Sequence, residues 1–227
     1  CGQSQKKYGI KAPNRQLESV PMWSPEGKNY YAAMACAANF AWCNRQVLAA
    51  QVRRAFEKTF KVGKSELRLV YDVAHNIAKM EQVTVDGVSQ EVCVHRKGAT
   101  RAFGPGVLGV PPKYQTVGQP VLVPGSMGTV SYVLAGQSCS DDISFASCCH
   151  GAGRRMSRKA ALKNISPTGV KDRLEMAGIT ARAARLSNLA EEAPQVYKDV
   201  DSVVRTACGI GSVRMVAKLS PIAIIKG

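Results

Sequence analysis

The residues of this chain best suited to chemistry stand together at Cys148-Cys149-His150-Gly151-Ala152-Gly153-Arg154-Arg155-Met156-Ser157-Arg158. One of only three histidines lies there, beside two glycines and three arginines. Neutral imidazole can attack phosphorus, glycine lets backbone N–H groups close on an anion, and the arginine fork chelates phosphate oxygens. The stretch reads either as a phosphate site with a covalent histidine or as a glycine turn carrying a buried histidine into a basic helix. These residues alone do not choose between the two.

The other imidazoles differ in their neighbours. His75 follows an apolar run and has Asn76 beside it. It is the better candidate metal ligand, because phosphoryl chemistry at a histidine usually needs a divalent ion and the chain has few imidazoles to offer. His95 lies among Arg96, Lys97 and Arg101, which suits phosphate better than a cation. A zinc site from Cys139, Cys148, Cys149 and His150 is a third reading, although that spacing matches no common zinc pattern. No Walker loop, G-x-G-x-x-G fingerprint, G-x-S-x-G elbow or H-E-x-x-H helix is present.

Several elements must position these groups. Ser24-Pro25-Glu26 predicts a helix start, with serine at the cap and proline in the first turn, and the helix runs to about Phe60. Tyr31, Met34, Ala38, Ala41 and Trp42 mark its apolar stripe, and Asn39, Phe40 and Trp42 read as packing residues rather than chemistry. Leu67 to Val73 alternates as a strand does, which places His75 at a strand end. Val83-Thr84-Val85, Asp86-Gly87 and the run through Val92 and Val94 form a hairpin signal with a type I′ turn. Gln119–Val123 and Val130–Leu134 read as strands flanking the glycine-rich turn Pro124–Gly128, whose N–H groups face a ligand. Helices are expected over Arg154–Lys163, Gly169–Ala177 and Gln195–Cys208, and a strand over Val213–Lys226. Interspersed strands and helices without repeats indicate one mixed α/β (α+β) body over residues 1–227, with no separable domains.

Composition narrows the partners. The 227 residues carry 31 Lys plus Arg against 16 Asp plus Glu, a formal charge of +15, which favours polyanions and nucleic acid above all. Basic segments at Arg96–Arg101, Arg154–Lys159, Arg182–Arg185 and Arg205 with Arg214 could line a nucleic-acid track. No apolar run reaches the roughly 18 residues a membrane span needs, so no membrane partner is expected. The eight cysteines lack the spacing of a disulfide scaffold and read as reduced, hence an intracellular protein, cytoplasmic or nuclear. A first residue of Cys1 in place of Met leads to the expectation of a fragment or processed piece.

Five motifs in one order carry a resemblance. They are Tyr71 to Lys79, Val94 to Phe103, Pro124 to Thr129, His150 to Arg154, and the terminal Ile225-Lys226-Gly227. Together they closely resemble the RtcB family of RNA-splicing ligases, over essentially the whole chain. The resemblance implies an RtcB-like fold of mixed β-sheets packed with helices. It also implies joining of an RNA end bearing a 3′-phosphate or 2′,3′-cyclic phosphate to a 5′-hydroxyl end, with GTP and manganese, in tRNA splicing and RNA repair. His150 is then the nucleophile that carries GMP. His75 becomes a ligand of one manganese and Asn76 a nucleotide contact. Pro124, Gly125, Ser126, Met127, Ser131, Gly151, Ala152 and Gly153 become the guanylate pocket, Tyr197 stacks on guanine, and Lys226 anchors the nucleotide. Arg154, Arg158 and Lys97 become RNA contacts. Implied partners are RNA such as tRNA halves, GTP, an archease-type activator and a ligase complex.

The departures from the family pattern shape a second set of expectations. Family members carry an additional N-terminal half with an aspartate, a bridging cysteine, two more histidines and an asparagine-histidine motif, all absent from these residues. Two manganese ions would then draw most of their ligands from outside this chain, and these residues alone are expected to ligate little or nothing. The alternatives are a non-catalytic RNA- or nucleotide-binding remnant of such a ligase, and the structural zinc protein.

Overall fold

The computed structural model describes residues 2–14, 17–63, 66–183 and 185–221. The single body expected from the sequence is resolved into two compact units, residues 1–79 and 80–227. Each is described by itself.

In the first unit a short helix α1 (Gly2–Lys7) precedes the long helix α2 (Pro25–Phe60). The start of α2 is the one its sequence predicts: Ser24 Oγ accepts from Gly27 N at 3.1 Å. Gly27 has to be glycine, because a Cβ there would lie 2.3 Å from the Pro21 carbonyl oxygen. Glu26 in the first turn takes the Lys7 ammonium and the Tyr8 hydroxyl, both at 2.7 Å, where an acid also favours the helix dipole. Tyr31, Met34, Ala38 and Trp42 are partly covered, as the stripe predicts, whereas Ala41 is exposed. Phe40 is not a packing residue, for it stands 75% exposed. Trp42 instead receives Arg45 and Lys79, each 5.7 Å from its ring.

Leu67 to Val73 is not a strand. Alternation marks a strand only where a partner edge takes up the backbone groups. Here side chains of α2 serve this segment: Arg53 Nε donates to the Leu67 carbonyl at 3.0 Å, and Arg45 Nε to Asp72 at 2.7 Å. His75 therefore precedes a strand, β1 (Asn76–Val85), instead of ending one.

The second unit contains the antiparallel elements, apart from residues 76–79 of β1, which belong to the first. β1 and β2 (Val88–Lys97) form a two-stranded sheet around Asp86 and Gly87, whose φ values of 51° and 78° are the pair a type I′ turn requires. β3 (Ala99–Arg101) pairs antiparallel with β6 (Ser147–Cys149), with Ala99 opposite Cys149. β4 (Pro120–Val123), β5 (Ser131–Gly136) and β7 (Val213–Leu219) form an antiparallel sheet in the order β4-β5-β7. A short helix α3 (Ser140–Ser144) lies between β5 and β6. Val121, Val123, Leu134 and Val213 pack beneath α7 (Val200–Gly209) with Cys148 and Ala152 in one core. Helices α4 (Arg158–Asn164), α5 (Pro167–Met176) and α6 (Ser187–Glu191) build a second core around Val170, Leu174 and Leu189.

Two helices begin later than the sequence suggests. α4 starts at Arg158 because Ser157 caps it, its Oγ accepting from Ala160 N at 3.1 Å. α7 starts at Val200 because Asp199 accepts from the amides of Asp201 and Ser202, while Pro194–Val196 is a separate 3₁₀ turn. β7 is described to Leu219, and the expected strand residues 222–226 lie outside the described residues. No helix among the described residues is long and apolar enough to cross a membrane.

Candidate functional site

β6 ends at Cys149 and delivers His150, half-buried, onto the glycine that follows β2. The His150 amide donates to the Gly98 carbonyl at 3.3 Å. Gly98 has φ +68°, and a Cβ on it would sit 3.4 Å from the imidazole Cε1 and 3.5 Å from Nδ1. The Nδ1–Cε1 edge of the ring thus faces the glycine across a gap about one methyl group wide. The next residues close on the turn between β4 and β5: Ala152 N donates to the Pro124 carbonyl at 3.3 Å, and Gly151 faces the same oxygen. The fold thereby brings together His150, Gly151, Ala152, Pro124, Gly125, Ser126, Met127 and Ser131.

That turn holds its own amides. Gly125 N donates to Ser131 Oγ at 3.2 Å and Ser126 N to Thr129 Oγ1 at 2.7 Å. A Cβ on Gly125 would lie 2.2 Å from the Val130 carbonyl oxygen, so the turn closes only with glycine there. These two amides form a preset platform, not the open row of donors expected from the sequence. Met127 packs against the helical core, which ties the turn to α4, α5 and α6.

Gly153, with φ +75°, passes the chain to a second clamp. Its carbonyl accepts from Lys198 N at 2.9 Å, Arg155 N donates to Val196 at 2.7 Å, and Arg154 and Tyr197 form an isolated antiparallel bridge. The Arg154 guanidinium turns inward. It donates to the carbonyls of Met156 at 3.1 Å and Glu191 at 2.6 Å and to Tyr197 Oη at 3.2 Å, and it lies 5.1 Å above the Tyr197 ring. The Tyr197 hydroxyl donates to Glu192. Burial first, then the Glu192 carboxylate, push the Tyr197 phenol up to about 12, against a smaller opposing pull from Arg154. Arg158, by contrast, is 72% exposed and reaches Glu191 only at 3.6 Å. Lys97 is exposed at the end of β2, next to Gly98.

Beneath the loop lies a charged network that the sequence did not single out. Arg96, expected in a nucleic-acid track, is 3% exposed. It grips both Glu81 oxygens at 2.8 Å, and its remaining donors reach Ser147 Oγ at 2.9 Å and the Phe145 carbonyl at 2.8 Å. Arg101 donates to Glu81 at 2.7 Å. Burial raises the Glu81 carboxyl, yet the two guanidinia outweigh it and leave it below the usual range. Phe145 and Ala146 have φ values of 50° and 45° and lead directly into β6, so Arg96 secures the strained entry to the strand that carries His150. The available signal was Glu81 itself, an acid inside a strand of a basic chain.

Among the described residues the thiols are free of disulfides: Cys148 and Cys149 stand 4.0 Å apart at sulfur, and Cys139 donates to the Gly211 carbonyl. The Cys148 thiol hydrogen bond, opposed by burial and helped by the Gly151 amide, draws Cys149 down to about 7, while the same contact pushes Cys148 up. No group of three or more His, Cys, Asp or Glu able to hold a metal exists among the described residues, which removes the zinc cluster there. His75 and Asn76 are exposed in the first unit. A single imidazole does not make a manganese site, so this chain's described residues do not fit a complete one. Lys226 lies outside the described residues.

A family model described as tRNA-splicing ligase RtcB matches residues 1–227. The chain belongs to the RtcB family. Proteins named tRNA-splicing ligase RtcB are similar to it along nearly its whole length. The Archaeoglobus fulgidus protein is 53% identical over 224 residues, covering 98% of this chain and 46% of its own length. The Thermococcus kodakarensis protein is 52% identical and the Methanococcus maripaludis protein 47%, each over 98% of this chain and 46% and 47% of their own lengths. The chain thus spans about half the length of these RtcB relatives. The mixed α/β architecture with small antiparallel sheets is compatible with an RtcB-like fold.

Proposed function

We propose that this chain supplies the nucleotide-carrying histidine of an RNA ligase that acts in tRNA splicing and RNA repair. The observation that carries the reading is the seating of His150 on Gly98, with Gly151 and Ala152 locked to the Pro124 turn. In the first step a His150 nitrogen bonds to the α-phosphorus of GTP as the bond to the β-phosphate oxygen breaks and pyrophosphate leaves. An oxygen of the RNA 3′-phosphate then takes GMP from the imidazole. Finally the 5′-hydroxyl oxygen attacks the 3′-phosphorus, and GMP departs.

The chain's own residues divide this work. Gly98 and the Ala152–Pro124 bond orient the imidazole, and the closed Gly125–Ser131 turn gives the guanylate a fixed wall. Tyr197 offers a ring for guanine, with Asn76 and Lys226 as further nucleotide contacts. Arg154, which the fold employs on Glu191, Glu192 and Tyr197, bears on the site by holding the Tyr197 ring. Arg158 and Lys97 are the outward cations for RNA phosphates. Manganese would neutralise phosphate oxygens when bound. His75 would be this chain's contribution to it, the other ligands coming from elsewhere. An archease-type activator and a ligase complex fit the same reading as partners.

The test is labelling of the full-length protein with radioactive GTP in the presence of manganese, followed by mapping of the modified residue. Label on His150, lost in His150→Ala, is expected. Label retained in His150→Ala would overturn the assignment. A protein that binds RNA but takes no label would favour the non-catalytic remnant.

A further inference from the structure

The basic pair Arg205 and Arg214 plays no part in the site at His150, yet it flanks a groove of about 490 Å³ between α7 and the β5–β7 side of the sheet. The volume is in the range of small-molecule sites. Val204 and Val213, both buried, form its apolar floor with the half-buried Cys208, and the exposed Met215 stands at its rim. Two carboxylates also line it, but their acceptors are already used. Asp199 caps α7 through the amides of Asp201 and Ser202 and the Ser202 hydroxyl. That hydroxyl first, with Arg205 adding a smaller share, holds Asp199 below the usual carboxylate range. Asp201 accepts from Tyr132 Oη at 2.6 Å and from Lys218 Nζ at 3.1 Å.

The donors are the groups left over. Arg205 makes one hydrogen bond, to Ser202 Oγ at 3.3 Å, and Arg214 makes one, to the Val117 carbonyl at 3.3 Å. A guanidinium carries five N–H donors, so both exposed forks can take an anion without breaking an internal pair. An apolar floor between two such forks matches a molecule with a flat, weakly polar body and a phosphate. We propose that this groove is a nucleotide subsite for an RNA strand, its floor taking a base and Arg205 and Arg214 taking the flanking phosphates. Tyr132 lines the groove and directly follows Ser131. The Ser131 hydroxyl is taken by the Gly125 amide and Ser131 is not among the groove's lining residues, so the groove is separate from the wall assigned to guanylate and serves a nucleotide away from the reacting end. The inference rests on the reading of the protein as one that handles RNA, but not on any chemistry at His150.

The experiment is equilibrium binding of a fluorescent single-stranded RNA with unreactive ends to the full-length protein, by fluorescence anisotropy at several salt concentrations. Arg205→Ala with Arg214→Ala is expected to weaken binding by roughly tenfold and to flatten the salt slope by about 1.4, two single-strand phosphate contacts. Lys28→Ala with Lys58→Ala, which removes the same charge from α2, is the comparison and is expected to change little. Cys208→Trp fills the floor without altering charge and is expected to weaken RNA binding as well. Equal losses in both double variants would reduce the effect to net charge and overturn the subsite. So would unchanged RNA affinity in the arginine pair, or loss of affinity for free GTP in place of RNA. Because no step depends on guanylylation, failure of GTP to label His150 leaves this outcome separately readable.

Discussion

Gly98 holds the backbone of His150 through its carbonyl and faces the imidazole edge. An alanine there would have to adopt φ +68°, at a strain of roughly 1–2 kcal/mol placed on the residue whose carbonyl accepts from the His150 amide, while its methyl would meet Cε1 at an ordinary 3.4 Å. Gly98→Ala is therefore expected to slow GMP labelling of His150 by about tenfold or more, on the scale of a small misplacement of a reacting group, with only a few degrees lost in melting temperature. Initial rates of label incorporation beside a thermal melt would check this, and an undiminished rate would show that the contact is not what orients the ring. His150 could be singled out as a candidate from the sequence, since a histidine among glycines and arginines suits phosphate chemistry by residue type. Its seat could not, because nothing in the spacing links Gly98 to His150 before β3 and β6 pair. Arg154 illustrates the complementary gap. Residue type says that a guanidinium seeks an anion, but only the fold reveals that Glu191, Glu192 and Tyr197 claim it first.

Among the elements, the entry to β6 depends on the buried pair of Arg96 and Glu81. Removing one partner of such a pair leaves an uncompensated charge, at a cost of about 3–5 kcal/mol. Glu81→Gln is expected to destabilise the protein by that amount at neutral pH, measured by urea unfolding. The pH dependence has a definite sign. The folded Glu81 carboxyl titrates below its ordinary range, so its stabilisation is fully present above the unfolded value of about 4.3 and is lost as pH falls through the folded value. The variant should lack this component of acid sensitivity, and an unchanged acid profile would argue against the pair. Local chemistry made several elements legible: Ser24 and Pro25 start α2, and Asp86-Gly87 turns the hairpin. Leu67 to Val73 misled because its alternation had no strand edge to pair with, and the start of α7 was missed because the cap at Asp199 was passed over for the upstream turn.

For the whole molecule the excess of cations is the dominant electrostatic fact, and the fold sharpens it. Several acids are spent on internal partners: Glu26 on Lys7, Asp72 on Arg45, Glu81 on Arg96 and Arg101, and Asp201 on Lys218. Lys159, Lys163, Arg182 and Arg185 remain exposed. The sequence could give the sign of this field but not its layout, nor the division at residue 79, where no linker composition marks a boundary. RNA binding should consequently be governed by counterion release, with log affinity falling by about 0.7 per single-strand phosphate contact for each unit of log salt. With about six contacts the slope approaches −4, and raising salt from about 50 to 200 mM would weaken binding by roughly two to three orders of magnitude. GTP meets far fewer of these cations, so labelling of His150 should decline much less over the same range. Parallel anisotropy and labelling titrations on one preparation separate the two. Equal slopes would mean that the surplus charge acts at the nucleotide site itself and not along an RNA path.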